Sequence, residues 1–502
     1  MCCGHPSRRD FLLTSLAAAT PPALALPQSP WPADLWDPER PYQAPGAALR
    51  VQPVLMYRVP QRRQAASWKS WGGVQSEEAA ADEANRITQE LRTLAAGAGF
   101  GIEVKPVVKV SSLEAAARLD EAEADVRLIY PATGPGDLLR SLMPQKSHGI
   151  IFVRRRSGPI YYWYEALSTR YLRKRNQPPS PDAPPLSVED VVVDEPGELL
   201  WRLRSLYAVK NFLGARVVAL GGARGKYAPE APQVARERFR LDIVEVSYES
   251  FAPRIRAALS DVRKLAQAER WVSRYLALPG TTLETDRRFL VNAFILYGLF
   301  RELLDEHAAS VLTIAGCMGT ILPLAETTAC LTLSLLNDEG RLALCESDFV
   351  IIPACILLWR TAGAPVFLHN STFPHAGIVT CAHCTAPRRM SRTRYEPARI
   401  LTHYESEYGA APKVEVPVGQ AVTFINPEYA TCRWIGMRGV VENNPFYEIC
   451  RSQQDVRLEG DWRRLLDEVR DSHWVMAYGD WLREAGYAAP RVGVQWETIQ
   501  AA

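Results

Sequence analysis

Short apolar runs alternate with helical segments along most of this chain, and that rhythm constrains the fold more than any other feature. Arg50 to Tyr57, Ile102 to Val110, Asp125 to Tyr130 and Gly149 to Val153 read as strands, and Glu77 to Ala96 reads as a helix with one apolar face. After a helix over Glu198 to Phe212 the pattern restarts, with strands at Ala215 to Leu220, Leu241 to Val246 and Ser310 to Ala315. A long helix over Thr285 to Glu306 precedes the last of these, with Thr285 as its N-cap. Strands alternating with helices build mostly parallel sheets covered by helices, so an α/β architecture in two successive units is expected. Beyond Gly363-Ala364-Pro365 the rhythm changes. Val366 to Leu368, Gly377 to Ala382, Lys413 to Pro417 and Ala421 to Ile425 are extended runs separated by turn residues, which predicts an antiparallel barrel or sandwich.

A chain of 502 residues is long enough for several domains and a large core. The expected division is a signal peptide over 1–26, a linker or extended arm over 27–48, α/β domains over 49–209 and 210–363, and a β-rich domain over 364–502. Ser7-Arg8-Arg9-Asp10-Phe11-Leu12 is a twin-arginine pattern, followed by an apolar run to Leu26 and an Ala23-Leu24-Ala25 cleavage-like site. Export by the twin-arginine route to the periplasm or outside is therefore expected. The apolar run is short and broken by Pro21 and Pro22, so no membrane span is expected. A net charge of +2, with no basic run interleaved with aromatics, gives no case for nucleic acid. All eight cysteines beyond the signal lie between Cys317 and Cys450, mostly in apolar context, which favours buried thiols over a disulfide framework.

Candidate chemistry concentrates between Cys345 and Pro387. Glu346 and Asp348 stand just before the apolar run Phe349 to Trp359; they can cap that helix, or as ionised carboxylates serve a hard divalent cation. His369, Asn370, His375 and His383 follow as possible metal ligands, and His383, in an apolar strand, also reads as a hydrogen-bonded core residue. Cys381 and Cys384 form a single CxxC, open to zinc or redox use, without a second pair or a thioredoxin-like context. His473 opens the run Trp474 to Asp480, as a ligand or as the first residue of a buried strand. The loop Gly221-Gly222-Ala223-Arg224-Gly225-Lys226 follows a strand but lacks the Walker and dinucleotide spacings, so it reads as a turn rather than as a nucleotide site.

Ser334-Leu335-Leu336-Asn337-Asp338, Cys345-Glu346-Ser347-Asp348, Gly363 to Phe367, Ala382-His383-Cys384 and His473 through Gly479-Asp480, in this order, resemble the L-fucose and L-arabinose isomerase superfamily. The resemblance implies two Rossmann-like domains and a β-rich C-terminal domain. It implies an aldose–ketose isomerase, an intramolecular oxidoreductase working on a monosaccharide through an enediol with a divalent metal, Mn²⁺ or alternatively Fe²⁺ or Zn²⁺. It leaves homo-oligomerisation open. Carried over residue by residue, it puts the metal on Glu346, His383 and His473, with Asp348 and Asn370 toward the substrate. The family's second carboxylate falls at His369-Asn370, and neither residue is an acid. Either Glu346 acts alone in catalysis, or His369 substitutes as ligand and base, or the chemistry is lost and the chain is an exported carbohydrate-binding protein without turnover.

Overall fold

The computed structural model describes residues 31–499 except 162–167, 176, 178–179, 181–182, 429–430 and 468–469. The expected signal peptide and the start of the 27–48 segment lie outside the described residues. The architecture is mixed α/β with two parallel sheets and a closed antiparallel barrel.

The first sheet contains β1 (Leu49–Met56), β2 (Ile102–Val104), β3 (Val108–Val110), β4 (Val126–Pro131), β5 (His148–Val153) and β6 (Val191–Val193), all parallel, in the order β2-β1-β4-β5-β6 with β3 also on β1. The run expected as one strand over 102–110 is thus two, with Pro106, which has no N–H to give a ladder, in the gap. All six residues of β4 are buried, and all are apolar but Arg127, whose guanidinium donates to the Leu142 carbonyl at 3.0 Å.

The second sheet has the order β11-β10-β7-β8, from β7 (Arg216–Leu220), β8 (Asp242–Val246), β10 (Val311–Ile314) and β11 (Leu342–Leu344), while β9 (Thr281–Leu283) lies outside it. The order runs one way from β7 to β8 and the other way from β10 to β11. That reversal opens a crevice at the carboxyl ends of the strands, where α/β sheets place ligands. The long helix is Arg287–Glu306, and its N-cap is Asp286, whose carboxylate accepts from the Arg288 N–H. Thr285, the expected cap, instead donates its hydroxyl to the Gly409 carbonyl.

The barrel closes through six antiparallel strands: β12 (Phe367–Ser371), β13 (Ile378–His383), β16 (Ala421–Glu428), β17 (Arg433–Asn443), β18 (Ser452–Glu459) and β19 (His473–Tyr478). Their order is β16-β19-β12-β13-β18-β17, and β17 pairs back to β16; β20 (Gln495–Thr498) adds to β17 in parallel. The expected strand near Lys413 is not a stave of the barrel. It is β15 (Ala411–Val414), which pairs with β14 (Ala398–Leu401), itself parallel to β9. Among the described residues no single helix is long and apolar enough to cross a membrane.

Residues 31–48 form an arm over the second unit. Trp31 stacks on Trp271 at 5.9 Å, and the Tyr42 hydroxyl accepts from the Trp359 indole N–H at 2.8 Å. Trp36 is fully buried, with Phe294 at 5.1 Å and Tyr275 at 6.1 Å between ring centroids. Trp36→Ala is expected to destabilise the protein by about 3–5 kcal/mol, the usual range for emptying a buried aromatic site, read as a lower urea midpoint. A midpoint within error of wild type would show that the arm is not part of the core.

Candidate functional site

Three segments meet at the mouth of the second sheet. The first is the Gly-rich loop after β7. Gly221 and Gly222 have φ of +85° and +96°, and a Cβ on Gly225 would stand 1.9 Å from the Ala228 carbonyl oxygen, so the backbone path needs glycine. The loop docks on the turn after β11. The Arg224 N–H donates to the Ser347 carbonyl at 3.2 Å, the Phe349 N–H to the Arg224 carbonyl at 2.8 Å, and the Ser347 hydroxyl to the Gly222 carbonyl at 2.7 Å.

That turn is the second segment. Glu346 and Ser347 are consecutive non-glycine residues at φ +66° and +53°. Such residues cost on the order of 1–3 kcal/mol each and persist where surrounding contacts hold them; the docked loop supplies those contacts. The expected helix start is shifted: the helix is Ile352–Ala362, so Glu346 and Asp348 precede it. Asp348 still caps the local turn, accepting the Val350 N–H at 3.1 Å.

The third segment is the barrel edge. Asn370 of β12 pairs with His473 on one side and with Ala382 on the other. This stagger sets the first residue of β19 level with the penultimate residue of β13, so His473 and His383 come close although 90 residues separate them. Their ring centroids are 6.5 Å apart.

The structure brings Glu346, His383 and His473 together. One potential ligand atom from each lies within 4.8 Å of the others. The His383 Nε2 is 3.7 Å from Glu346 Oε1, and the His473 Nε2 is 3.5 Å from Glu346 Oε2. Both imidazoles are oriented from behind. His473 Nδ1 is 2.7 Å from Asp348 Oδ2, and His383 Nδ1 is 3.0 Å from the Thr385 hydroxyl. A carboxylate accepts only, so the His473 proton sits on Nδ1 and Nε2 keeps its lone pair. Contact with His383, joined by the charge of the Lys226 ammonium, holds the Glu346 carboxyl well below the usual carboxylate range, against its partial burial. Asp348, Asp471 and His473 form a second close group. There the His473 Nδ1 is already engaged with Asp348 and its backbone N–H with Asp471 at 3.0 Å, so the group whose Nε2 atoms face Glu346 is the better ligand set.

Asp348, expected to face substrate, is fully buried and stands behind His473. His369 is not brought into the group. In the strand register His473 lies opposite Asn370, while His369 lies opposite Trp474. The His369 ring is fully buried among Phe367 at 5.4 Å, Phe424 at 5.6 Å and Trp474 at 6.5 Å. Asn370 lines a cleft of about 300 Å³ with Thr372, Thr380, Tyr404 and Glu405, at the small end of the roughly 300–1,000 Å³ of small-molecule sites. A cleft of about 510 Å³ in the first unit, between Leu91 and Leu199, holds no histidine. His375 is in an exposed turn. The CxxC does not converge: Cys381 is in the barrel core, and Cys384 packs with Cys330 and Cys450.

Sequence reasoning missed Lys226. Its ammonium lies 3.4 Å from Glu346 Oε2 and 3.3 Å from His473 Nε2, and its backbone N–H donates to Asp348 Oδ1 at 2.9 Å. The available signal was a lysine closing a Gly-rich loop at a strand's carboxyl end. No protein-family model matches the chain, and no curated protein matches it.

Burial pushes the His369 imidazole down to about 3. The unfolded chain therefore takes a proton there below about pH 6.5 that the native chain refuses until about pH 3, so stability is lost as pH falls through that window. His369→Leu is expected to flatten this acid limb in urea midpoints measured from pH 7 to pH 4. An unchanged slope would show that His369 does not govern it.

Proposed function

We propose that this protein is a metal-dependent aldose–ketose isomerase acting on a monosaccharide, a divergent and exported relative of the L-fucose and L-arabinose isomerases. The observation that carries the reading is the convergence of Glu346, His383 and His473, with His473 oriented by a buried carboxylate. One carboxylate and two imidazoles suit Mn²⁺, Fe²⁺ or Zn²⁺. A bound divalent ion supplies polarisation of the sugar's carbonyl and hydroxyl oxygens.

The chain's own residues do the rest. His383 and His473 offer Nε2 lone pairs. Glu346 presents one oxygen to His383 and the other to His473 and Lys226, so one can hold a cation while the other accepts a proton from the carbon beside the carbonyl. Its depressed pKa keeps it ionised, as a carboxylate that holds a cation must be, and weakens it as a base toward the carbon beside the carbonyl. Asn370, Thr372 and Thr380 line the neighbouring cleft with an amide and hydroxyls that suit sugar hydroxyls. His369, in the barrel core, has no part.

Metal analysis of the purified protein, followed by an aldose panel in deuterated water, tests the reading. Stoichiometric Mn²⁺, Fe²⁺ or Zn²⁺ with deuterium entering at sugar C2 is expected. Sugar binding without metal or exchange would favour a second reading, an exported carbohydrate-binding protein without turnover. Two observations support that alternative: an amide, Asn370, stands opposite His473 in the strand register, and the Lys226 ammonium already balances Glu346.

Asp348→Asn is expected to lower divalent-metal affinity by about 10–100-fold, as loss of an outer-shell carboxylate does, in titration calorimetry. Unaltered affinity would remove the orienting role of Asp348. Asn370→Asp is expected to tighten metal binding, because it adds a carboxylate opposite His473; no change in metal or sugar binding would withdraw the residue-by-residue transfer at this position.

A further inference from the structure

We infer that Lys226 is a tethered cation which holds the place of the divalent ion between Glu346 and His473 and must swing out before an ion binds; this rests on the metal-site reading above. The ammonium is 3.4 Å from Glu346 Oε2 and 3.3 Å from His473 Nε2. Metal bonds to a carboxylate oxygen and an imidazole are about 2.0–2.2 Å, so an ion held by these two atoms would lie within about 4 Å of the ammonium nitrogen. Two cations that close repel each other, the more so where burial weakens solvent screening.

The backbone cannot retreat with the side chain. The Lys226 N–H donates to Asp348 at 2.9 Å, and the loop around it is held by the Ala228 N–H on the Gly225 carbonyl at 3.2 Å and the Arg224 N–H on the Ser347 carbonyl at 3.2 Å. Displacement therefore falls to the four-carbon stem, which is about a quarter exposed. From its place against Glu346 the ammonium already lies 6.0 Å from the ring centroid of Tyr227, which is held at φ +59° and is 88% exposed, so the stem can turn outward toward that ring. An aromatic face at that range attracts a cation. In the empty site Lys226 compensates Glu346 and keeps the carboxylate and both imidazoles in place; in the loaded site it stands at the rim over Tyr227.

Two measurements on the full chain test this. Mn²⁺ titration calorimetry compares wild type with Lys226→Met and Lys226→Gln, which keep a side chain of similar length without the charge; circular dichroism confirms folding. Both variants are expected to bind Mn²⁺ at least tenfold tighter. Acetic anhydride labelling of wild type, read by peptide mass spectrometry, is expected to rise at Lys226 when Mn²⁺ saturates the site. Wild-type binding of Mn²⁺ with no tightening in folded variants, or with Lys226 labelling unchanged or reduced, overturns the displacement and leaves the metal site standing. Absence of Mn²⁺ binding in wild type and variants alike overturns the metal site and this inference with it.

Discussion

One buried carboxylate ties the candidate site together. Asp348 is fully buried, and its oxygens take the Lys226 backbone N–H, the Val350 N–H and the His473 imidazole N–H. These donors belong to the loop after β7, the turn after β11 and the start of barrel strand β19. An unpaired buried donor loses about 1–3 kcal/mol, so separating any of these segments from Asp348 is unfavourable. The same carboxylate selects the His473 tautomer and leaves Nε2 pointing at Glu346. The position of the second sheet against the barrel and the chemistry of the histidine thus rest on one group.

Around it, strain and support are matched. Two successive left-handed residues, Glu346 and Ser347, would be unfavourable in an isolated turn. They persist because the Gly-rich loop bonds to the turn through both backbone and the Ser347 hydroxyl. That loop follows its path only because glycine stands at 221, 222 and 225, and following it delivers the Lys226 side chain between Glu346 and His473.

The barrel contributes by register. The period of two along a strand allows only one of two consecutive residues onto a given face. At His369-Asn370 the place opposite His473 goes to the amide, and the imidazole goes to the aromatic core. The group of three holds a single carboxylate because neither residue at 369–370 is an acid, and Lys226 adds a positive charge beside it.

Periodicity along the chain was enough to determine the two parallel α/β units and the change to antiparallel strands after residue 363, because a strand or helix that packs on a core must show its apolar face locally. The candidates Glu346, His383 and His473 were legible as chemically capable residues in a recognisable order. Their meeting was a matter of tertiary structure, since it depends on the stagger of β13 and β19 across β12 and on the crevice where the second sheet reverses order. Three further points were beyond local pattern. His369 faces the core because strand pairing sets its phase, and Asp348 stands behind His473 because the turn carries it inward. Lys226 reaches the site because a loop more than 100 residues earlier docks on that turn. Sequence separation says nothing of such contacts; packing decides them.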